Sequence, residues 1–501
     1  MEWLLHKKEL DKLTLKKYLL EQPYTLVPVK QVINQLGWSK YLVMHYGQEL
    51  IDDIERLSPN AQSYITFDAS NQHFIVQSGH TISLHDLTLD YLNRSPKYHM
   101  LLALFLENFQ SVEDFAAQHD FSTPYVRDEL RELAEHLAQQ HILVTDSFTL
   151  NGNEKDIRYF FFRILFDYYY QQANPLTPDA QNWAAQLFDT LSRVTGSTIT
   201  PAMRVVMQFQ LGLWYTRMKH GHIISLTDST PVLRDLADLP SENAAFPITL
   251  MNTLKTMLGL DIVAAHDETR FALSALYAFG FARKHDFMQL MPTQAVALFS
   301  VINDCIRVCL PRFLGNPGLL TPELMADLVD DLYTSNLRLV YFHSELRPEP
   351  NITDAFHQFP IYAELTMTII KEIVNQTKLP FETVRNTLFE DYFNTFITRI
   401  PREDALPLVT IALDFVDNEA LKRRLIQRLQ GFLSINIFIT DTQITTADLV
   451  ISNIHLNYEE QQTIVLRHSP TLAELNEIRR TVKEITIEKF ERFTGQTISI
   501  I

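Results

Sequence analysis

A chain of 501 residues, 46% hydrophobic and 21% charged, has the composition of a soluble globular protein and enough length for roughly three to five domains, each with its own core. Its net charge of −17 excludes indiscriminate binding to nucleic acid, because an acidic surface repels phosphate, but leaves room for a local basic face. The opening MEWLLHKKELDKLTLKK becomes charged too soon for a signal peptide, and no run reaches the roughly 20 apolar residues of a membrane span, so a cytoplasmic protein is expected.

Residues 9–21 read as a first helix. Around it Lys7, Lys8, Lys12, Lys16, Lys17, Lys30 and Lys40 outnumber the carboxylates, against the trend of the whole chain; this is either a solvated face or a phosphate-contacting one. In VKQVINQLGWSKYLVMHYGQEL two helices meet at Gly37–Trp38–Ser39, a helix-turn-helix pattern with Val32, Leu36, Trp38, Val43 and Tyr46 at core spacings. TFDASNQHFIVQ, residues 66–77, then alternates apolar and polar residues as a hairpin wing would. A helix is expected over 83–109, ending in LLALFLENF.

The same device returns in SVEDFAAQHDFSTPYVRDELRELAEHL. Its turn is Asp120–Phe121–Ser122, and Pro124 lies just inside the second helix, where a missing N–H costs nothing. Phe115, Ala116, Phe121, Val126 and Leu130 can share one small core. Thr123, Tyr125, Arg127 and Arg131 are then left on the outward face, the face that would enter a major groove. HILVTDSFTLNGN supplies a second wing, expected to close at Asn151–Gly152. Winged units over 1–80 and 81–153 follow.

From NEKDIRYFFFRILFDYYY onward the chain turns to long apolar helices without an internal repeat, read as two all-helical domains, 154–290 and 291–400, divided near Met291–Pro292. Cys305 and Cys309 lie one helical turn apart among apolar residues, poor disulfide geometry and an incomplete zinc site, so buried reduced thiols are expected. His220, His222 and His343 fall near helix ends. His220-x-His222 has no third ligand nearby, and no glycine-rich phosphate loop or nucleophile motif appears, so no metal, cofactor or catalytic residue is expected. Over 401–501 strands alternate with helices (PLVTIALDF, SINIFIT, DLVISNI, QTIVL), which predicts a small α/β domain with a parallel sheet.

This order of parts resembles the Mga/AtxA-type regulators of Gram-positive bacteria over essentially the whole chain. The ladder from KYHMLLALFLENF through RELAEHL, then Gly152, Glu154, Ile157 and Arg158 as a Gly-x-Glu-x-x-Ile-Arg segment, and YTRMKHGHIISL carry the likeness. The resemblance implies a mainly α, multidomain protein: two winged helix-turn-helix units, two phosphotransferase-system regulation domains (PRDs) and a C-terminal domain like the EIIB component of sugar phosphotransferase systems. It implies contacts to double-stranded promoter DNA from Ser39, Lys40, Tyr41 and His45 in one recognition helix and Thr123, Tyr125, Arg127 and Arg131 in the other; Lys12 and Lys16 join them as phosphate-contact candidates from the lysine excess of the N-terminus. It also implies phosphorylation of His220, His222 and His343 by phosphocarrier proteins, Arg217 and Arg347 being the nearby cations, and a homodimer. Leu413–Asp414–Phe415 stands where a true EIIB has its nucleophilic cysteine, so phosphocysteine chemistry is not expected. A helical scaffold or sensor whose winged domains bind protein stays open, because Glu49, Asp52, Asp53 and Glu55 make the end of the first recognition helix acidic.

Overall fold

Capped, periodic apolar segments make helix the dominant element of this chain. A computed structural model describes residues 2–498 other than 23–24, 59–64, 78–81, 170–173, 196–198, 226–244, 282–292, 315–317, 319, 343–349, 417–418, 432–434 and 456–460. Two compact units are formed, Met1–Ser229 with Leu250–Glu268 and Thr230–Thr249 with Thr269–Ile501. The expected division at Met291–Pro292 lies outside the described residues.

The first unit opens with α1 (Lys7–Glu21), β1 (Leu26–Pro28), α2 (Val29–Leu36), α3 (Lys40–Leu57), β2 (Ile65–Asp68) and β3 (His73–Val76). The wing expected from the alternation is β2–β3, its turn closed by Asp68 accepting from the amides of Ser70 and Asn71. A third strand, β1, pairs with the other side of β3; three residues are too few to show a period, and Pro28 is tolerated because the strand is at the edge. Gly47, in the middle of α3, lets the wing come so close that a Cβ there would lie 2.6 Å from the Phe74 ring.

Next come α4 (Leu84–Arg94), α5 (Pro96–Phe105), α6 (Val112–Gln118), α7 (Thr123–Gln139), β4 (Leu143–Val144) and β5 (Leu150–Asn151). The single helix expected over 83–109 is therefore two. Pro96 cannot donate an amide and pushes Ser95 into an extended conformation, so Ser95 ends α4 and caps α5. The second wing turns at residues 145–149, with Phe148 at φ 57°, and not at Asn151–Gly152. Gly152 follows the wing and is required by close approach, since a Cβ there would meet the His141 carbonyl oxygen at 2.7 Å. α8 (Glu154–Tyr169), α9 (Pro178–Thr195) and α10 (Pro201–Lys219) form a helical layer in which α10 packs against the other two, and α11 (Ala245–Leu258) and α12 (Ile262–Ala278) contribute their residues from Leu250 to Glu268.

The second unit contains α13 (Thr293–Cys309), α14 (Pro322–Tyr341), α15 (Ile352–Gln358), α16 (Pro360–Thr377), α17 (Phe381–Arg399) and α18 (Arg402–Ala405). Their core gathers Ile306, Leu328, Leu332, Ile369, Ile370 and Leu388. Cys305 and Cys309 are free and buried in it, and burial pushes the Cys305 thiol up to about 12, so neither is a ready nucleophile. The chain ends in β6 (Val409–Asp414), α19 (Glu419–Gln430), β7 (Ile437–Thr440), β8 (Leu449–Ser452), β9 (Gln462–Val465) and α20 (Leu472–Thr494). The strands form the expected parallel sheet in the order β7-β6-β8-β9. Leu425 and Leu429 of α19 and Ile478 and Val482 of α20 pack on one face of it, against Val409, Ile411, Leu449 and Ile451.

Candidate nucleic-acid interface

In the first helix-turn-helix Gly37 takes the left-handed conformation, φ 68°, and donates to the Ile33 carbonyl at 2.9 Å. Ser39 then caps α3 by accepting from the Leu42 amide at 3.2 Å. Val32 and Val43 are fully buried, and Leu36, Trp38 and Tyr46 are half-buried, with Trp38 and Tyr46 edge to face. Lys40, Tyr41 and His45 are exposed on the opposite face, Tyr41 by 73%, and the rings of Tyr41 and His45 stack at 5.6 Å. One turn further on, Glu49 takes the Lys8 ammonium at 2.6 Å.

The second helix-turn-helix repeats the geometry with a different residue. Asp120 holds φ 57°, and the Phe121 amide reaches the Ala116 carbonyl at 2.9 Å. Phe115, Ala116, Val126, Leu133 and Leu137 are buried, with Phe121 and Leu130 at the margin. Arg127 and Arg131 stand on the outer face of α7. Their partners are Glu113 at 3.3 Å and Asp128 at 3.2 Å, all four side chains about two-thirds exposed. Exposed pairs of this kind contribute on the order of 0–1 kcal/mol, so either guanidinium can exchange its carboxylate for a phosphate at little cost. Thr123 and Tyr125 are only half-exposed. Tyr125 is turned toward the N-terminal segment, its hydroxyl 3.0 Å from His6 Nε2, and so is not the free outward side chain expected.

The largest correction concerns Lys12 and Lys16. They share the face of α1 that carries Leu15 and Leu19, and they are buried with it. Lys12 meets Asp53 at 2.6 Å, where Tyr91 also donates at 2.8 Å and Arg56 and Arg94 approach at 3.2 and 3.3 Å. Burial alone would raise the Asp53 carboxyl, but these donors hold it below the usual range. Lys16 donates to the backbone carbonyls of Ile82 and Ser83, and burial pulls its ammonium down to about 8. Both lysines brace α1, α3 and α4 from within, out of reach of a phosphate.

Behind the second wing lies a buried ionic cluster that explains the Gly-x-Glu-x-x-Ile-Arg pattern. Gly152 allows the close crossing, Ile157 is buried, and Glu154 and Arg158 face inward on α8. Arg158, 1% exposed, binds both oxygens of Glu268 at 2.7 and 2.8 Å, Glu154 at 2.9 Å and the His222 carbonyl at 2.8 Å. Arg217, fully buried, grips Glu154 at 2.8 and 3.0 Å and Glu107 at 3.3 Å. Burial would raise the Glu154 carboxyl, yet Arg158 and Arg217 keep it below the usual range. Arg217 is thus already committed and is not the waiting phosphate partner expected from its position.

His220 ends α10 and is exposed, whereas His222 is half-buried with Nε2 hydrogen-bonded to Glu107. His343 and Arg347 lie outside the described residues. Neither Glu107 nor Glu268 is singled out by the sequence; Glu107 is a carboxylate set in the apolar run LLALFLENF, which is a sign of a buried partner, whereas Glu268 lies among His266, Asp267, Thr269 and Arg270 and carries no such sign.

No helix among the described residues is long and apolar enough to cross a membrane. No curated protein matches the chain. Residues 80–165, from just before α4 into α8, match the model of the Mga helix-turn-helix domain, a match consistent with a DNA-binding regulator of the Mga type.

Proposed function

We propose that the chain is a cytoplasmic transcriptional regulator that binds double-stranded promoter DNA through both winged units. The observation that carries this reading is the outer face of α7, where Arg127 and Arg131 lie exposed in a helix-turn-helix of the matched domain. Lys40, Tyr41 and His45 on α3 supply the second contact face, and Ser39 and Thr123 stand at the helix starts, where amides and hydroxyls can meet phosphate. The test is a salt titration of the full chain on promoter-length duplexes. Affinity should fall steeply with salt, and absence of any complex at low salt would sink the reading. Capture of protein partners by intact winged units that bind no duplex would support the scaffold instead.

Regulation falls to the helical region as a pair of PRDs, with His220, His222 and His343 as phosphate acceptors from phosphocarrier proteins. Geometry ranks the two described ones: His220 is open to a donor, whereas His222 must first release Glu107. Labelled phosphate that persists after all three are replaced would exclude the assignment. The C-terminal domain serves as an EIIB-like homodimer module, supported by the exposed Phe438 on β7 and Phe493 on α20; of the Leu421, Leu425, Leu429 stripe, all three are buried and Leu425 and Leu429 are already used on the domain's own sheet. Deletion of residues 405–501 should lower the dimer fraction in light scattering.

A further inference from the structure

Inside the first unit three carboxylates, Glu107, Glu154 and Glu268, face two guanidiniums, Arg158 and Arg217. Among these described side chains, carboxylates exceed guanidiniums by one, and a buried charge without a counterpart is costly. One side chain is placed to supply it. His222 meets Glu107 through Nε2, accepts Arg158 on its carbonyl and donates its amide to the Arg217 carbonyl at 3.1 Å. It also borders a cavity of about 250 Å³ shared with Asn153 and Lys155, so a proton can reach it. The other charged groups around it are accounted for: Lys155 on α8 is 3.6 Å from Asp156, His220 on its own loop is exposed, and Glu268 on α12 is held by Arg158 and the Ile224 amide.

We infer that His222 is a proton-dependent latch fastening the loop after α10 to the turn that opens the second helix-turn-helix. The protonated ring completes the charge balance and holds Glu107 by a charge-assisted bond; the neutral ring offers an ordinary one, and Glu107 is left chiefly to Arg217 at 3.3 Å. Glu107 is itself at φ 53°, a left-handed conformation that a glutamate keeps only when its surroundings impose it. The turn it occupies, closed by the Asn108 amide on the Ala103 carbonyl, leads directly into α6. A weaker hold on Glu107 therefore loosens the start of the helix-turn-helix.

Amide hydrogen exchange of the full chain, corrected for intrinsic rates, tests this by comparing about pH 5.5 with about pH 8. Protection of residues 103–110 and 220–225 should fall roughly fivefold toward the higher pH, the factor expected when one partly buried hydrogen bond loses its charge. His222→Gln, which keeps a neutral donor, should abolish that pH dependence, as should Glu107→Gln, while His220→Gln should retain it. Dependence surviving in His222→Gln, or absent from the wild type, overturns the latch. No DNA or phosphate donor enters the assay, so its outcome is independent of the DNA-binding reading.

Discussion

In the first winged unit Lys12 and Lys16 are buried against Asp53 and backbone carbonyls, whereas in the second Arg127 and Arg131 lie on the outer face of α7 in weak, solvent-exposed pairs. The units share a left-handed turn residue, a buried apolar stripe and a wing, yet they use their cations for opposite purposes. The first is braced internally by charge and offers rings, Tyr41 and His45, to the outside. The second is tied to the helical layer behind it through Glu107, and its charge faces outward. A count of basic residues along the chain therefore says little about phosphate contact until the helix face is known.

The largest effect that would separate the two units comes from the anchor behind the second. Arg158→Ala leaves Glu268 buried without its partner and should cost about 3–5 kcal/mol in urea unfolding, with lost protection concentrated behind the second wing. In the first unit, Asp53→Asn should cost about 2–3 kcal/mol, because Lys12 keeps only a neutral acceptor. The sign with pH is fixed. The Asp53 carboxyl is depressed in the folded state, so its contribution is complete above the ordinary aspartate range and is lost as pH falls through its lowered native value. The gap between wild type and Asp53→Asn should accordingly close in acid.

Smaller effects bear on the interface itself. The double change Arg127→Ala, Arg131→Ala should weaken duplex binding roughly tenfold at low salt and reduce the salt slope by about 2, with stability altered by no more than about 0.5 kcal/mol. Lys16→Met should leave the salt slope unchanged; a slope lowered by about 1 would mean that Lys16 does reach phosphate and would break the comparison.

Both helix-turn-helix pairs, the first wing and the parallel C-terminal sheet could be read in the sequence, because each rests on local rules: turn residues, caps and a two- or 3.6-residue period. The misreadings are of another kind. Residue type alone puts Lys12 and Lys16 on the surface, although they share the buried helix face of Leu15 and Leu19. Ser95–Pro96 divides a helix that looks continuous by hydrophobicity alone. Glu107 and Glu268 meet Arg217 and Arg158 across more than a hundred residues, a pairing no local pattern encodes.

Gly47 has a consequence for the spacing of helix and wing in the first unit. A glycine in the middle of a helix costs about 1 kcal/mol relative to alanine, and here it holds open the space into which Phe74 presses. That ring is buried on β3, the strand that pairs with both others of the wing, so a side chain at position 47 would have to displace it within a packed interior. The opening between helix and wing is gauged by the absence of one methyl group. A change that would strengthen the helix in isolation would press the wing away from it.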